Sequence, residues 1–195
     1  MIGWIGRPRL TGSVLSSRVA QWGQRSLIKS VQRGTVTLTI GQTSNTATIT
    51  SVIPANCVIR YGGLTQSQVN PNWGLGFGLI DLTNATTVTA TISTAVAAAT
   101  VYSFDVVEYQ PGVLRSVQRG TITIGAAATS NTATITAVDV TKAELGWLGW
   151  TLSIGVADTT EATNIVLTNA TTVTATRVSN GAYTAIAGYQ VAEFF

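Results

Sequence analysis

The sequence predicts an all-β protein, two tandem antiparallel β-sandwich modules behind an extended or partly helical N-terminal arm. Three observations predict it. A long segment is written twice, apolar and polar residues alternate with a period of two inside each copy, and the chain is rich in threonine and valine. These branched side chains suit a pleated sheet better than a helix. Of the 195 residues 45% are apolar and only 10% are charged, against roughly 25% charged in an average soluble protein. That composition excludes a disordered chain, which is rich in charge and poor in β-branched residues. So few charges also suggest that neighbouring molecules cover part of the surface.

The repeat sets the organisation. Ser30-Val31-Gln32-Arg33-Gly34-Thr35 returns as Ser116-Val117-Gln118-Arg119-Gly120-Thr121, a shift of 86 residues. Residues 43–50 return at 129–136 with the same shift, and residues 82–91 return at 167–176 with a shift of 85. One residue is lost in the middle, where the copies diverge most. A period this long exceeds the roughly 20–50 residues of solenoid repeats and propeller blades, so each copy is read as a small domain with its own core.

The arm, residues 1–27, comes first. It holds Arg7, Arg9, Arg18 and Arg25 without a single acid, and Trp4 and Trp22 flank the arginines. Aromatic and Arg anchors are what a docking segment buries in a partner, so these six residues are expected to attach the protein to a larger assembly. The arginines interrupt any apolar run, so no secretory signal is expected. The apolar stretches 73–80 and 145–157 fall short of a membrane helix. A soluble protein made in a cytoplasm is the expectation, with no membrane partner. The charge splits along the chain, with seven basic and no acidic residues in the first 60, then four basic against eight acidic. A nucleic-acid binder shows a basic stripe on one folded face. These charges are too sparse for that, which argues against nucleic acid.

Module 1 follows over residues 28–110. Val36, Leu38 and Ile40 alternate with Thr35, Thr37 and Thr39; Ala47 and Ile49 continue the pattern, as do Val88, Ala90 and Ile92. Each run reads as a half-buried strand. Turn signals such as Thr-Ser-Asn, Gly125 and Ser179-Asn180-Gly181 recur about every ten residues, the spacing of a sandwich or barrel. Residues 111–113 form a short linker, and module 2 occupies residues 114–195, where Tyr189 and Val191 match Phe104 and Val106.

Chemistry is sparse. Histidine is absent, and the one cysteine, Cys57, has Ala143 as its counterpart. This removes the commonest general base, the commonest metal ligand and any disulfide framework. No cofactor or metal is expected, and no enzyme. Ser26-Leu27-Ile28-Lys29 has the Ser-x-x-Lys spacing of some acyl-transfer enzymes, but it sits between arm and first strand. Asp158 and Glu161 lack the regular acidic spacing of a calcium loop. Gly74-Leu75-Gly76-Phe77-Gly78 lacks the lysine of a phosphate loop. Asn84-Ala85-Thr86 and its copy fit a glycosylation acceptor, which means little without an export signal.

Two constellations remain. Few charges persist in both copies, namely Lys29/Arg115, Arg33/Arg119 and Glu108/Glu193. Arg33 is expected to pair with Glu108, and Arg119 with Glu193, joining the first and last strands of each module. Trp73, Trp147 and Trp150 lie in the divergent middle segments. Core filling is the default for such rings, and a sugar-stacking or protein-contact patch is the alternative.

The string from Ile28 to Thr35, the alternating threonine strands, the Thr-Asn-Ala-Thr-Thr-Val-Thr-Ala stretch and the closing Val-Val-Glu-Tyr together resemble small β modules of tailed-bacteriophage structural proteins. The likeness covers nearly all of both modules but not residues 1–27, and it carries no catalytic motif. It implies a virion location and an accessory part such as a capsid decoration, head-fibre, collar or tail-fibre component. It further implies other virion proteins as partners through the arm, and a symmetric homo-oligomer, often a trimer. The reading from the binding class is a host-surface glycan or receptor module that uses Trp147 and Trp150.

Overall fold

The computed structural model describes residues 26–67, 77–153, 162–178 and 181–195. Trp4, Arg7, Arg9, Arg18, Trp22 and Arg25 of the arm lie outside the described residues, as do Trp73, Asp158 and Glu161. The described chain is all-β. In module 1, β1 (Ile28–Leu38), β3 (Cys57–Gln66) and β6 (Thr100–Tyr109) form an antiparallel sheet in the order β1-β6-β3. Facing it are β2 (Ser44–Thr48), β4 (Leu79–Asn84) and β5 (Thr87–Thr91), in the order β2-β5-β4. Module 2 repeats both layers. Here β7 (Leu114–Ile124), β9 (Ala143–Leu152) and β12 (Ala185–Phe194) run in the order β9-β12-β7, and β8 (Ser130–Thr134), β10 (Asn164–Asn169) and β11 (Thr172–Thr176) in the order β10-β11-β8. Every strand of module 1 has its counterpart 86 or 85 residues later, and the one-residue slip falls between β9 and β10.

The alternation read from the sequence is the alternation of burial. Val36, Leu38, Val88, Ala90, Phe104 and Val106 line the core of module 1. Ile122, Ile124, Val173, Ala175, Tyr189 and Val191 line that of module 2. Ile40 departs from the expectation. The strand ends at Leu38, Gly41 turns the chain at a φ of 85°, and Ile40 is left 73% exposed. The Gln42 side chain takes the Thr39 N–H at 2.7 Å, so a turn rather than a ladder satisfies that donor. The glycine in the repeated Gln-Arg-Gly-Thr string has a packing cause. Gly34 sits opposite Phe104 and Gly120 opposite Tyr189, and a Cβ on either would collide with the facing ring.

The two sandwiches are not separate beads. Leu79 of β4 pairs with Gly149 of β9, so one layer of each module merges into a six-stranded sheet, β2-β5-β4-β9-β12-β7. A β-bulge makes this possible. The register of β9 on β12 shifts between the Trp147 and Trp150 rungs, and Gly149 takes a φ of 99°. A bulge bends its strand and re-aims a side chain. Module 1 carries the same irregularity at Gly63, whose φ is 107°, but nothing lies near it. At Gly149, by contrast, an added Cβ would overlap the carbonyl oxygen of Gly78.

This pair supplies an internal control. Gly63→Ala adds only backbone strain of about 1–3 kcal/mol. Gly149→Ala adds the same strain plus a steric clash, and is expected to cost more than about 3 kcal/mol and to open the β4–β9 seam. Chemical denaturation of the two variants, side by side, checks the difference.

Candidate functional site at the module joint

The residues shared by the two copies close each sandwich. Gln32 on β1 donates to the Thr50 carbonyl at 2.9 Å and accepts the Thr50 N–H at 2.7 Å. Gln118 does the same to Thr136, at 2.9 and 2.7 Å. Asn45 and Asn131 donate to the Thr37 and Thr123 carbonyls, each at 2.7 Å. Asn84 and Asn169, the two candidate glycosylation acceptors, accept the N–H groups of Thr86 and Thr171 and so hold their hairpin turns. Short amide side chains are suited to capping turns and strand ends in this way.

The expected ion pairs require correction. Arg33 does not meet Glu108, because the β1–β6 register sets Arg33 opposite Asp105 and Ser30 opposite Glu108. Arg33 faces solvent and lies 3.5 Å from Asp105, whereas Glu108 points into the sandwich. The partner of Glu108 is Lys29, at 2.8 Å, joined by the Ser30 hydroxyl at 3.2 Å and the Ile53 N–H at 3.1 Å. Glu193 is held in the same way by Arg115, Ser116 and the Asp139 N–H, at 3.4, 3.4 and 2.9 Å. Desolvation alone would raise the Glu108 pKa. The bonds from Lys29, Ile53 and Ser30 outweigh it and leave the carboxyl below its ordinary value of 4.5. Each buried glutamate thus ties the first strand, the last strand and the loop between the two layers.

Arg119, the counterpart of Arg33, has a different task. Its Nε donates to Gln190 at 2.9 Å, and its Nη2 reaches the Cys57 carbonyl at 2.5 Å and the Pro54 carbonyl at 3.4 Å, both in module 1. Gln190 lies on the same rung as Arg119 and occupies the position that Asp105 holds in module 1. Its side-chain oxygen accepts the Ile59 N–H at 3.0 Å, and its nitrogen faces the Ile59 carbonyl at 3.4 Å. β3 is an edge strand, and buried edge groups must find partners. An amide can serve both the N–H and the C=O of one residue, whereas a carboxylate can only accept. That explains why the buried copy carries Gln where the exposed copy carries Asp.

Apolar groups interlock around this clasp. Leu148, on the β9 bulge, leaves its own module and is 3% exposed inside the core of module 1; its counterpart is Gly62. Phe77 crosses the other way and stacks on Trp150 at 5.0 Å. Val58, Val107, Tyr109, Leu114 and Ala192 form a third cluster where the modules meet. The bulge also settles the tryptophan question. Trp147 and Trp150 are three residues apart, yet both pack with the core of module 2, because Leu148-Gly149 faces a single residue of β12. Trp150 is 5% exposed, while Trp147 is half-buried and meets Tyr61 edge-on at 5.2 Å, so the two rings do not form one open stacking surface.

A cleft of about 330 Å³ opens where the six-stranded sheet bends across the joint. Asp81 and Arg119 face it, together with threonines of both modules. Asp81 is exposed on the face of β4 that looks into this cleft, and the groups packed around it raise its pKa against the pull of Arg119. The other sequence candidates are occupied. Ser26 bonds Ile28 while Lys29 bonds Glu108, so the Ser-x-x-Lys pair is split. Cys57 donates to the Ile53 carbonyl, and burial, with the charge of Glu108, pushes its thiol up to about 11. Sequence reasoning missed Gln190, Leu148 and Arg177. Arg177 is 5% exposed and ties together the carbonyls of Gly125, Ala128 and Tyr183. The signal available was the difference between copies, since the counterparts are Asp105, Gly62 and Ile92.

Gln190→Leu strands the Ile59 N–H and the Arg119 Nε, and is expected to cost about 2–3 kcal/mol. Asp105→Ala on the matching exposed rung should cost under about 1 kcal/mol; urea melts of both variants measure the contrast. The folded pKa of Glu108 lies below its ordinary value, so its stabilisation is complete above about pH 4.5 and fades as the pH falls through the lowered folded value. Glu108→Gln should flatten that acid limb in denaturation midpoints taken across pH.

Comparison with known proteins finds no matching family model, no matching curated protein and no matching solved structure.

Proposed function

We propose that this chain is a structural component of a tailed-bacteriophage virion, a capsid decoration or a head- or tail-fibre part. Its N-terminal arm anchors it to other virion proteins, and its two modules project as one stiff body. The observation that carries this reading is the polarity of the body. The described chain enters beside the linker, where the Leu27 carbonyl accepts the Gln110 N–H at 2.8 Å and Ile28 pairs with Tyr109. Leu114 and Phe194 pair at the same pole, and the Phe195 N–H bonds the Val113 carbonyl. An anchor applied there leaves the opposite pole, with the β1–β2 and β5–β6 loops, free to project. A joint that interlocks two cores transmits force without a hinge, which suits an accessory part of a particle.

The charge pattern agrees. Among the described residues Lys29, Arg33, Arg60 and Arg115 are matched to Glu108, Asp105, Glu144 and Glu193, Arg119 and Arg177 are bound to carbonyl groups, and Lys142 is left as an exposed cation outside these ion pairs. Such a surface offers little to a phosphate backbone, which binds through unpaired Lys and Arg. A charge-poor exterior is also what a symmetric oligomer, such as a trimer, would bury in part. The glycan-binding alternative through Trp147 and Trp150 loses the Trp150 ring to the interior and keeps only the half-buried Trp147.

Deleting residues 1–25 keeps the Leu27–Gln110 bond and is expected to leave the modules folded, with a thermal midpoint within a few degrees of the full chain. The truncated chain should then fail to join particles. Incorporation at the normal level would contradict the proposed anchor.

A further inference from the structure

The cleft at the joint holds two opposite charges that do not meet. Arg119 is pinned through Nε and Nη2, while no described protein group engages its Nη1. Asp81 has no cation within ion-pair distance among the described residues, although it and Arg119 feel each other's charge. Around them stand the hydroxyls of Thr83, Thr89, Thr91 and Thr121, above an apolar floor to which the half-buried Leu79 contributes. Convergent polar groups over an apolar floor are the ordinary makeup of a small-molecule site.

The repeat supplies an independent observation. β4 and β10 match closely, with Ile80/Ile165, Leu82/Leu167, Thr83/Thr168 and Asn84/Asn169 in equivalent places. Even the hydroxyl contact between Thr83 and Thr89 recurs between Thr168 and Thr174, each at 2.5 Å. The position of Asp81, however, is Val166 in module 2, 49% exposed. The carboxylate therefore occurs only in the copy that faces the cleft, and the strand does not need it to form.

We infer that this cleft binds a saccharide, with Asp81 and Arg119 gripping hydroxyl groups of one sugar ring. A lone cation would be repelled by Arg119 and a lone anion by Asp81, while an apolar ligand would strand both charges. A sugar hydroxyl donates to a carboxylate and accepts from a guanidinium, so a neutral ligand satisfies both groups. The threonine hydroxyls extend the same donor and acceptor pattern, and the half-buried Leu79 meets the C–H face of the ring. A zwitterionic amino acid would satisfy the two charges but leave the threonines unused. This inference stands apart from the virion role and does not require it.

The test is calorimetric titration of the full chain with a panel of neutral mono- and disaccharides, with glycine as the zwitterion control. At least one sugar should bind, and Asp81→Val should weaken it by about tenfold or more. Thr121→Val should weaken it by a few fold. Asp81→Val installs the residue already carried by module 2, so its thermal midpoint should stay within a few degrees of the parent. The inference is overturned if no sugar in the panel binds, if binding survives Asp81→Val, or if glycine binds and sugars do not.

Discussion

The edge of β3 is the constraint on which the rest depends. An antiparallel sandwich of two three-stranded sheets has open sides, and on one of them module 1 would leave the Ile59 N–H and C=O facing water or an apolar neighbour. Module 2 covers that side with its β7-β12-β9 sheet, and burial turns the free edge into an obligation. The Gln190 amide meets it, Arg119 braces the amide, and Leu148 fills the core beneath. Burying a leucine contributes about 1.5–3 kcal/mol, and each buried polar group left unpaired would cost a comparable amount. The polar clasp and the apolar plug are therefore of similar weight, and neither works alone.

Two copies of one module make the division of labour visible inside a single chain. Where the copies agree, the residues build sandwiches: the glutamate hubs, the Gln32 and Gln118 clasps, the turn-holding asparagines and the glycines opposite aromatic rings. Where they differ, residues specific to the joint appear: Gln190 for Asp105, Leu148 for Gly62 and Gly188 for Ser103, beside Arg119 and Gly149, which keep the residue types of Arg33 and Gly63 but take new contacts. Gly188 belongs to this set because a Cβ there would press on Leu148 and Leu79. The contact is heterologous, since a sheet face of one module meets an edge of the other. Its two sides could diverge independently, whereas a two-fold interface would have required each patch to match itself.

The fold was largely legible because alternation and repetition are local properties, read along the chain without knowing any contact. Strand existence in both modules followed from Val36/Leu38, Val88/Ala90 and their copies. The site was less legible because contacts depend on register. Arg33 and Glu108 are retained in both copies, yet a shift of three rungs separates them, and Lys29, equally retained, takes the glutamate. Trp147 and Trp150 are spaced for opposite faces of a regular strand, and only the bulge at Gly149 returns both to the core. Ile40 continued the alternation in sequence, but a turn that Gln42 and Gly41 impose had already ended the strand. The joint was hidden most deeply, because Gln190 and Leu148 depart from the repeat while Arg119 and Gly149 keep its residue types and change only their contacts.

The central claim is that the two modules form one cooperative unit and not two domains on a linker. Differential scanning calorimetry of the full chain tests it most directly, by comparing the calorimetric and van't Hoff enthalpies of unfolding. The account predicts one transition with the two enthalpies equal. Two resolved transitions, or a van't Hoff enthalpy near half the calorimetric value, would contradict it.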